Sequence, residues 1–319
     1  MKTETKTMKD VFIEELCNRM HKDRGIFFLC ADFGSPKLDY IRENFKDRFL
    51  NVGIAEQNLI NVSTGLAIEG FKVYAYAIAP FLTMRAYEQI RTNLSLYAQL
   101  KEININLVGV GAGLSYDVSG PTHHCLEDIS IMRTLPNILV FSPSDWALAK
   151  KFVDYSIKVK KPKYIRLDGK PLPNIYNDLN KIKIENSFSI LKEGRRICLI
   201  STGYMTHRAL KIANMLKEKK IDIGVIDVFL LRPINYGLFS EAFKKYEYAI
   251  TLEEGFIGRG GLDGLVLSVL EREKIDIKLK NIGFDDSYVF KIGNRDYLHK
   301  LNGLDEEGII KKIKKLLSN

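Results

Sequence analysis

The sequence predicts an α/β protein built as two domains, each with a mainly parallel sheet flanked by helices, and three observations predict it. At 319 residues the chain is long enough for two separate cores. Short apolar runs of strand length alternate with amphipathic stretches of helix length, the order that produces parallel sheets. That alternation is broken once, by a stretch rich in turn residues near the middle. The expected boundaries are a first domain over residues 1–168, a linker over 169–185 and a second domain over 186–319.

Taken in order, the strand-like runs of the first domain are Ile26 to Cys30, Val73 to Ala77, Ile105 to Val110, Ile138 to Phe141 and Tyr164 to Leu167. Between them, Ile54 to Ile68 has helical spacing (Ile54, Leu59, Val62, Leu66), and Leu126 to Arg133 is helix-like. Asp168 to Lys183 then carries Pro171, Pro173, Asn174, Asn177 and Asn180 among polar residues. Beyond it, strands are expected at Ile197 to Ser201, Ile221 to Val228, Tyr248 to Leu252 and Ile277 to Ile282. Helices are expected at His207 to Lys219, Leu262 to Glu273 and Asp305 to Leu317. No internal repeat or low-complexity segment interrupts this order.

Composition narrows the function classes. A net charge of +9 and a pI near 9.1 invite a nucleic-acid reading. The lysines, however, are scattered along amphipathic helices such as Lys211 to Lys220, without an aromatic-interleaved basic stripe. Neither a nucleic-acid partner nor a membrane is expected, since no run of about eighteen apolar residues exists. The opening Met-Lys-Thr-Glu-Thr-Lys reads as a true start without a signal peptide, so a cytoplasmic location is expected. Cys17, Cys30, Cys125 and Cys198 show no paired spacing and are expected to be reduced and buried.

Three segments carry chemistry. Gly53-Ile-Ala-Glu-Gln-Asn58 places Glu56 at a helix start. Ala79-Pro-Phe81-Leu follows an apolar strand. Gly113 to His124 is a polar, glycine-containing loop after another. Singly, each has a plain explanation. Glu56 suits the first turn of a helix through the dipole, and Phe81 suits a core. His124 suits a hydrogen-bonded filler. Adjacent His123 and His124 diverge in a loop and have no ligands at zinc-like spacing, so no metal site is expected.

Together, Gly53 to Asn58, Phe81 to Arg91 and Gly120 to His124 resemble the C-terminal half of transketolase, or the separate C-terminal subunit of a split transketolase, and the resemblance runs nearly end to end. It implies a thiamine-diphosphate pyrimidine-binding domain followed by a transketolase C-terminal-like domain. It further implies that Glu56 is the acid that hydrogen-bonds the aminopyrimidine and promotes its imino tautomer, that Phe81 stacks on that ring, and that His123 faces the substrate carbonyl and hydroxyls. Arg166, at the end of an apolar strand, matches the arginine that holds a sugar phosphate; locally, a surface ion pair with Asp168 explains it equally well. Asp32 and Ser35 match a turn lining the same cleft, where capping or turn roles serve as well.

The departures are informative. Transketolases carry an aspartate where this chain has Ser119 and a histidine where it has Gly111, so donor recognition is expected to differ, with Asp117 a candidate substitute. The family's Gly-Asp-Gly segment, which with a later asparagine binds the diphosphate and its Mg2+, is absent; Leu167-Asp-Gly and Leu262-Asp-Gly come nearest. A partner N-terminal subunit carrying Gly-Asp-Gly is therefore implied, with the divalent ion held there and this chain forming a homodimer within a heterotetramer. Glu253 to Gly264 is glycine-rich, but its spacing is wrong for nucleotide binding and its acids would repel a pyrophosphate. A domain or subunit contact is expected there. The implied activity is transfer of a two-carbon ketol unit from a ketose, or ketose phosphate, to an aldose. The alternatives are the β subunit of a 2-oxo acid dehydrogenase decarboxylase, which Gly-Pro-Thr-His-His argues against, and a non-catalytic partner subunit.

Overall fold

The computed structural model describes residues 4–317. Its strands, in chain order, are β1 (Thr5–Thr7), β2 (Ile26–Cys30), β3 (Phe49–Asn51), β4 (Lys72–Ile78), β5 (Asn104–Val110), β6 (Leu139–Phe141), β7 (Lys163–Leu167), β8 (Pro171–Pro173), β9 (Phe188–Lys192), β10 (Ile197–Ser201), β11 (Gly224–Val228), β12 (Leu230–Arg232), β13 (Tyr248–Phe256) and β14 (Lys278–Phe284). Among the described residues they form a seven-stranded sheet ordered β12-β6-β7-β5-β4-β2-β3, a five-stranded sheet ordered β14-β13-β10-β11-β9, and the small pair β1-β8. Within the large sheet β6, β7, β5, β4, β2 and β3 run parallel, and within the second β14, β13, β10 and β11 do. Two mainly parallel sheets flanked by helices are thus what the alternation of apolar runs specified.

Burial explains the strand sequences. Every residue of β5 is buried, as expected of a central parallel strand covered on both faces. Its side chains alternate between two cores: Ile105 and Leu107 join the helix Glu56–Ile68 side, Val108 and Val110 the side of the helices Met8–Met20 and Trp146–Lys158. Those last two helices begin at capping side chains, Thr7 accepting from the Asp10 N–H and Asp145 from the Leu148 N–H.

Two features cross between the halves. β12 leaves the second half to pair antiparallel with β6, so the edge of the large sheet is covered by a strand from far along the chain. The proline- and asparagine-rich stretch is also more than a tether. Its Pro171–Pro173 pairs with β1, and Tyr176, Ile182 and Ile184 are buried in the first core. All four cysteines are buried and unbonded.

Because the central strands are parallel and in register, their carboxyl ends lie side by side, Cys30 opposite Asn51 and Tyr76, Val110 opposite Ile78 and Leu167. Loops leaving these ends converge on one edge, the usual ligand-binding edge of such sheets.

Candidate active site

Four of those loops bring the sequence motifs together. After β3, Asn51 accepts the backbone N–H groups of Asp32 (3.0 Å) and Gly53 (3.0 Å). Its amide also donates to the Asp32 carboxylate at 3.1 Å. Gly53 has φ +76°, a conformation that favours glycine, and the turn it makes delivers Glu56 as the first residue of the helix Glu56–Ile68. Glu56 is buried, 2% exposed, with no side-chain cap before it.

After β4, Phe81–Arg85 is wound as a π-helix, a widened turn often found at functional sites. It brings Phe81 and Arg85 onto one face. The Arg85 guanidinium lies 4.7 Å from the Phe81 ring centroid and donates to Glu56 Oε2 at 2.5 Å. From the loop after β5, His123 meets the Phe81 ring edge-on, with centroids 5.2 Å apart and planes at 69°. Its Nδ1 lies 3.0 Å from the Thr122 hydroxyl. Glu56, Phe81 and His123 are therefore one cluster, joined by Arg85. Sequence reasoning did not single out Arg85, whose signal was its place four residues after an aromatic within the same motif.

The loop that carries His123 is locked from below. Gly111 has φ +103°, and a Cβ there would stand 2.4 Å from the Tyr116 ring, so Tyr116 occupies the place into which a side chain at 111 would project. Asp117 does not reach toward the site as a substitute for an aspartate at Ser119. It is buried, accepts from the Arg295 N–H (2.7 Å) and Val118 N–H (2.8 Å), and pairs with Lys170 at 2.7 Å. Burial alone would raise its pKa, but those donors bring it below the ordinary value. His124 is also buried, its Nε2 3.3 Å from the Asp117 carbonyl, and burial lowers its affinity for a proton. Filler is the part it plays.

Arg166 departs from the local expectation. It is 3% exposed, and its Nε donates to Asp128 Oδ2 at 2.7 Å while its Nη2 donates to the carbonyls of Cys125 and Glu254 at 3.2 Å each. The Tyr164 hydroxyl shares the same Asp128 oxygen at 2.6 Å. A surface pair with Asp168 does not describe this geometry; through Nε and Nη2, Arg166 clamps the His123 loop to the second domain. Ser35 is an N-cap, accepting from the Lys37 N–H at 3.3 Å at the start of Pro36–Asn44. Asp32 remains exposed at the site edge, tied to Asn51.

The glycine-rich segment that begins within β13 is a domain contact: Arg166 donates to the Glu254 carbonyl, Arg133 to the Gly260 and Gly261 carbonyls, and the Phe256 N–H to the Leu126 carbonyl. Glu254 is buried and accepts from Arg295 Nη2 (3.1 Å), with His299 Nε2 at 2.6 Å. Burial alone would raise it, but Arg295 and His299 hold it down at about 2. Glu253 accepts the N–H groups of Leu262 (2.9 Å) and Asp263 (3.0 Å) at the start of Leu262–Arg272, and burial pushes it up to about 7.

A buried carboxyl, an adjacent aromatic face and an imidazole edge form a set suited to an aminopyrimidine: one acceptor for a ring nitrogen, one surface for stacking, one group for the reacting end. Among the described residues no group of three or more His, Cys, Asp or Glu is placed to hold a metal ion.

Both halves of the chain match known proteins. Residues 4–173 match the family described as transketolase, pyrimidine binding domain, and residues 187–309 that described as transketolase, C-terminal domain. The chain is 35% identical to one subunit of the apulose-4-phosphate transketolase of Actinobacillus succinogenes, covering 95% of this chain and 96% of that one. It is 28% identical to a 6-deoxy-6-sulfo-D-fructose transketolase subunit of a Clostridium species, covering 98% and 94%. A solved structure described as a split gene transketolase, inactive β4 tetramer, superposes with a TM-score of 0.86 at 29% identity over 98% of both chains. Transketolase from Campylobacter jejuni shares the fold, with a TM-score of 0.78 at 18% identity, the chain spanning 47% of its length. The family uses thiamine diphosphate, and the two curated relatives of similar length are named as transketolase subunits. On its matched domains and its near full-length relatives, this chain belongs to the transketolase family, carrying that family's pyrimidine-binding and C-terminal domains.

Proposed function

We propose that the chain is the pyrimidine-binding subunit of an enzyme that moves a two-carbon ketol unit from a ketose or ketose phosphate to an aldose. The observation that carries this is the cluster of Glu56, Phe81 and His123 at the carboxyl edge of the parallel sheet. When bound, thiamine diphosphate supplies the carbanion chemistry of carbon–carbon bond cleavage and formation. Glu56 hydrogen-bonds a pyrimidine ring nitrogen and holds the proton there, Phe81 supports the ring face, and His123 binds and relays a proton at the substrate oxygens. Asp32 stands at the cleft edge as a group for a sugar hydroxyl. The two relatives' substrates, a sugar phosphate and a sulfosugar by name, both carry an anionic end, which supports an anionic sugar here.

A second chain completes the site. No Gly-Asp-Gly occurs in the sequence, and apolar side chains on the motif segments stand open: Ile54, two residues before Glu56, is 77% exposed, Val118 of the His123 loop 63%, and Ile292, which lies against Gly120 of that loop, 61%. Such exposed apolar side chains fit a wall supplied by a partner. The partner would carry the diphosphate and its divalent ion, in a tetramer of two chains of each kind. A cytoplasmic location fits the sequence, and no helix among the described residues is long and apolar enough to cross a membrane.

Calorimetric titration of thiamine diphosphate with Mg2+ into this chain alone and into its co-expressed pair with a Gly-Asp-Gly chain tests the assembly. Binding by the pair alone is expected; tight binding by the single chain would refute the division of labour. In the pair, Glu56→Gln is expected to lower turnover by about 10²–10⁴-fold, the range for a lost acid-base group, without lowering the melting temperature. Full turnover in that variant would sink the mechanism.

A further inference from the structure

Arg85 is the one member of the cluster without a part in the proposed chemistry, and its geometry is unusual. Its guanidinium is planar, donates to Glu56 Oε2 at 2.5 Å and lies 4.7 Å from the centroid of Phe81. A planar nitrogen heterocycle held by Glu56 and supported by Phe81 would use those same two contacts. The side chains differ in mobility as well as in role. The Arg85 side chain is 45% exposed and reaches in from the surface, whereas that of Glu56 is 3% exposed and fixed at the start of its helix. A long side chain anchored at one end and half in solvent can leave by rotamer change alone. A single ion pair that is open on one side costs little to break.

We propose that Arg85 is an internal competitor of the cofactor ring. Its guanidinium fills the seat between Glu56 and Phe81, so the aminopyrimidine enters only as Arg85 swings out. This rests on the transketolase-type reading of the cluster and adds a control on it. The seated arginine satisfies the buried Glu56 carboxylate, which would otherwise lack a cation beside it, and keeps unrelated ligands off the Phe81 face. Apparent cofactor affinity is then reduced by the fraction of molecules in which Arg85 is seated. Occupation of the seat is set by how Arg85 is engaged elsewhere. A partner chain that offered the guanidinium a carboxylate outside the seat would open the site on assembly.

The test is thiamine diphosphate affinity in the co-expressed pair, read by calorimetry rather than by turnover. With one exposed-side ion pair and one cation–π contact removed, Arg85→Ala is expected to bind the cofactor about fivefold more tightly. Arg85→Lys, which keeps the charge and loses the planar fork, is expected to fall between the two. In Arg85→Ala, millimolar guanidinium chloride is expected to weaken cofactor binding back toward wild type by refilling the seat, while sodium chloride at equal ionic strength is not. Should Arg85→Ala fail to fold, Arg85→Gln and Arg85→Lys carry the same comparison. Unchanged or weaker cofactor binding in folded variants, beside a wild-type pair that binds normally, overturns the competitor role alone. A wild-type pair that binds no thiamine diphosphate overturns the transketolase-type reading, and the competitor role with it.

Discussion

The cluster around Glu56 and the junction around Glu254 are both built from acids, arginines and a histidine, yet they are finished in opposite ways. At the junction each cation is shared. Arg295 donates to Asp168 (2.7 Å), Glu254 (3.1 Å) and the Ala112 carbonyl (3.3 Å), and is 5% exposed. Arg208 donates to His299 Nδ1 at 2.8 Å and pairs with Asp296 and Glu306. At the cluster, Glu56 has one cation, Arg85, half in solvent, and His123 has a neighbouring hydroxyl and a ring edge. Charges whose partners are all internal hold a structure; a charge with one exchangeable partner is free to trade it for a ligand. Arg166, with Nε on Asp128 and Nη2 on two carbonyls, ties into the junction as well.

The largest stability effect follows from Arg295. Replacing it by Met leaves Asp168 and Glu254 buried without their cation, and removing one partner of a buried pair costs about 3–5 kcal/mol. Arg295→Met should therefore lower the urea midpoint of unfolding severely, and do so with or without cofactor. A loss below about 1 kcal/mol, the value of an exposed pair, would erase the distinction between the two regions.

Next in size is the acid limb of stability. Glu254 sits at about 2 in the folded chain against an ordinary value of 4.5, so its contribution is complete above pH 4.5 and is lost as pH falls toward 2. That shift corresponds to about 3 kcal/mol. Asp227 and Glu253 act in the opposite sense. Burial raises Asp227 to about 6, despite hydrogen bonds from Ser144, Tyr176 and Thr206, and raises Glu253 to about 7, so what they contribute at low pH is lost as pH rises through those values. Urea midpoints measured from pH 2 to 8 should fall on both sides of a mildly acidic optimum, and Glu254→Gln should flatten the acid side. Parallel acid limbs for wild type and variant would mean that Glu254 does not anchor the junction.

These contrasts also mark what could be read from the residues. The parallel strands were legible because β2, β4 and β5 are buried on both faces and hence largely apolar, whereas β7 buries Lys163 and Arg166 among its apolar residues. β3, three residues long and half-exposed, carried no such signal. Glu56, Phe81 and His123 lie in short local motifs, each at the end of an element. The junction was not legible, because Arg295 meets Asp117 across 178 residues and Arg166 meets Glu254 across 88. Nor was the seat of Arg85, which depends on a π-helical turn set by tertiary context. The contact expected at Glu253 to Gly264 was legible only in outline: the sequence did not show that the two buried acids have opposite duties, Glu253 capping a helix and Glu254 tying down Arg295 and His299.

The smallest effect sharpens the same comparison at the site edge, where Asp32 and Ser35 sit three residues apart. Ser35 is 8% exposed, caps Pro36–Asn44 and lies 3.4 Å from Asp10 Oδ1. By its finished contacts it belongs with structure, so Ser35→Ala should cost about 1 kcal/mol, the usual value of a lost N-cap, and leave KM for sugar unchanged. Asp32 is exposed and holds Asn51, which in turn fixes the Gly53 turn leading to Glu56. Asp32→Ala should barely change the unfolding midpoint and should raise KM or lower kcat in the assembled enzyme. If Ser35→Ala raised KM while Asp32→Ala did not, the rule that a fully partnered group is structural and an open one functional would fail where the two kinds of residue stand closest together.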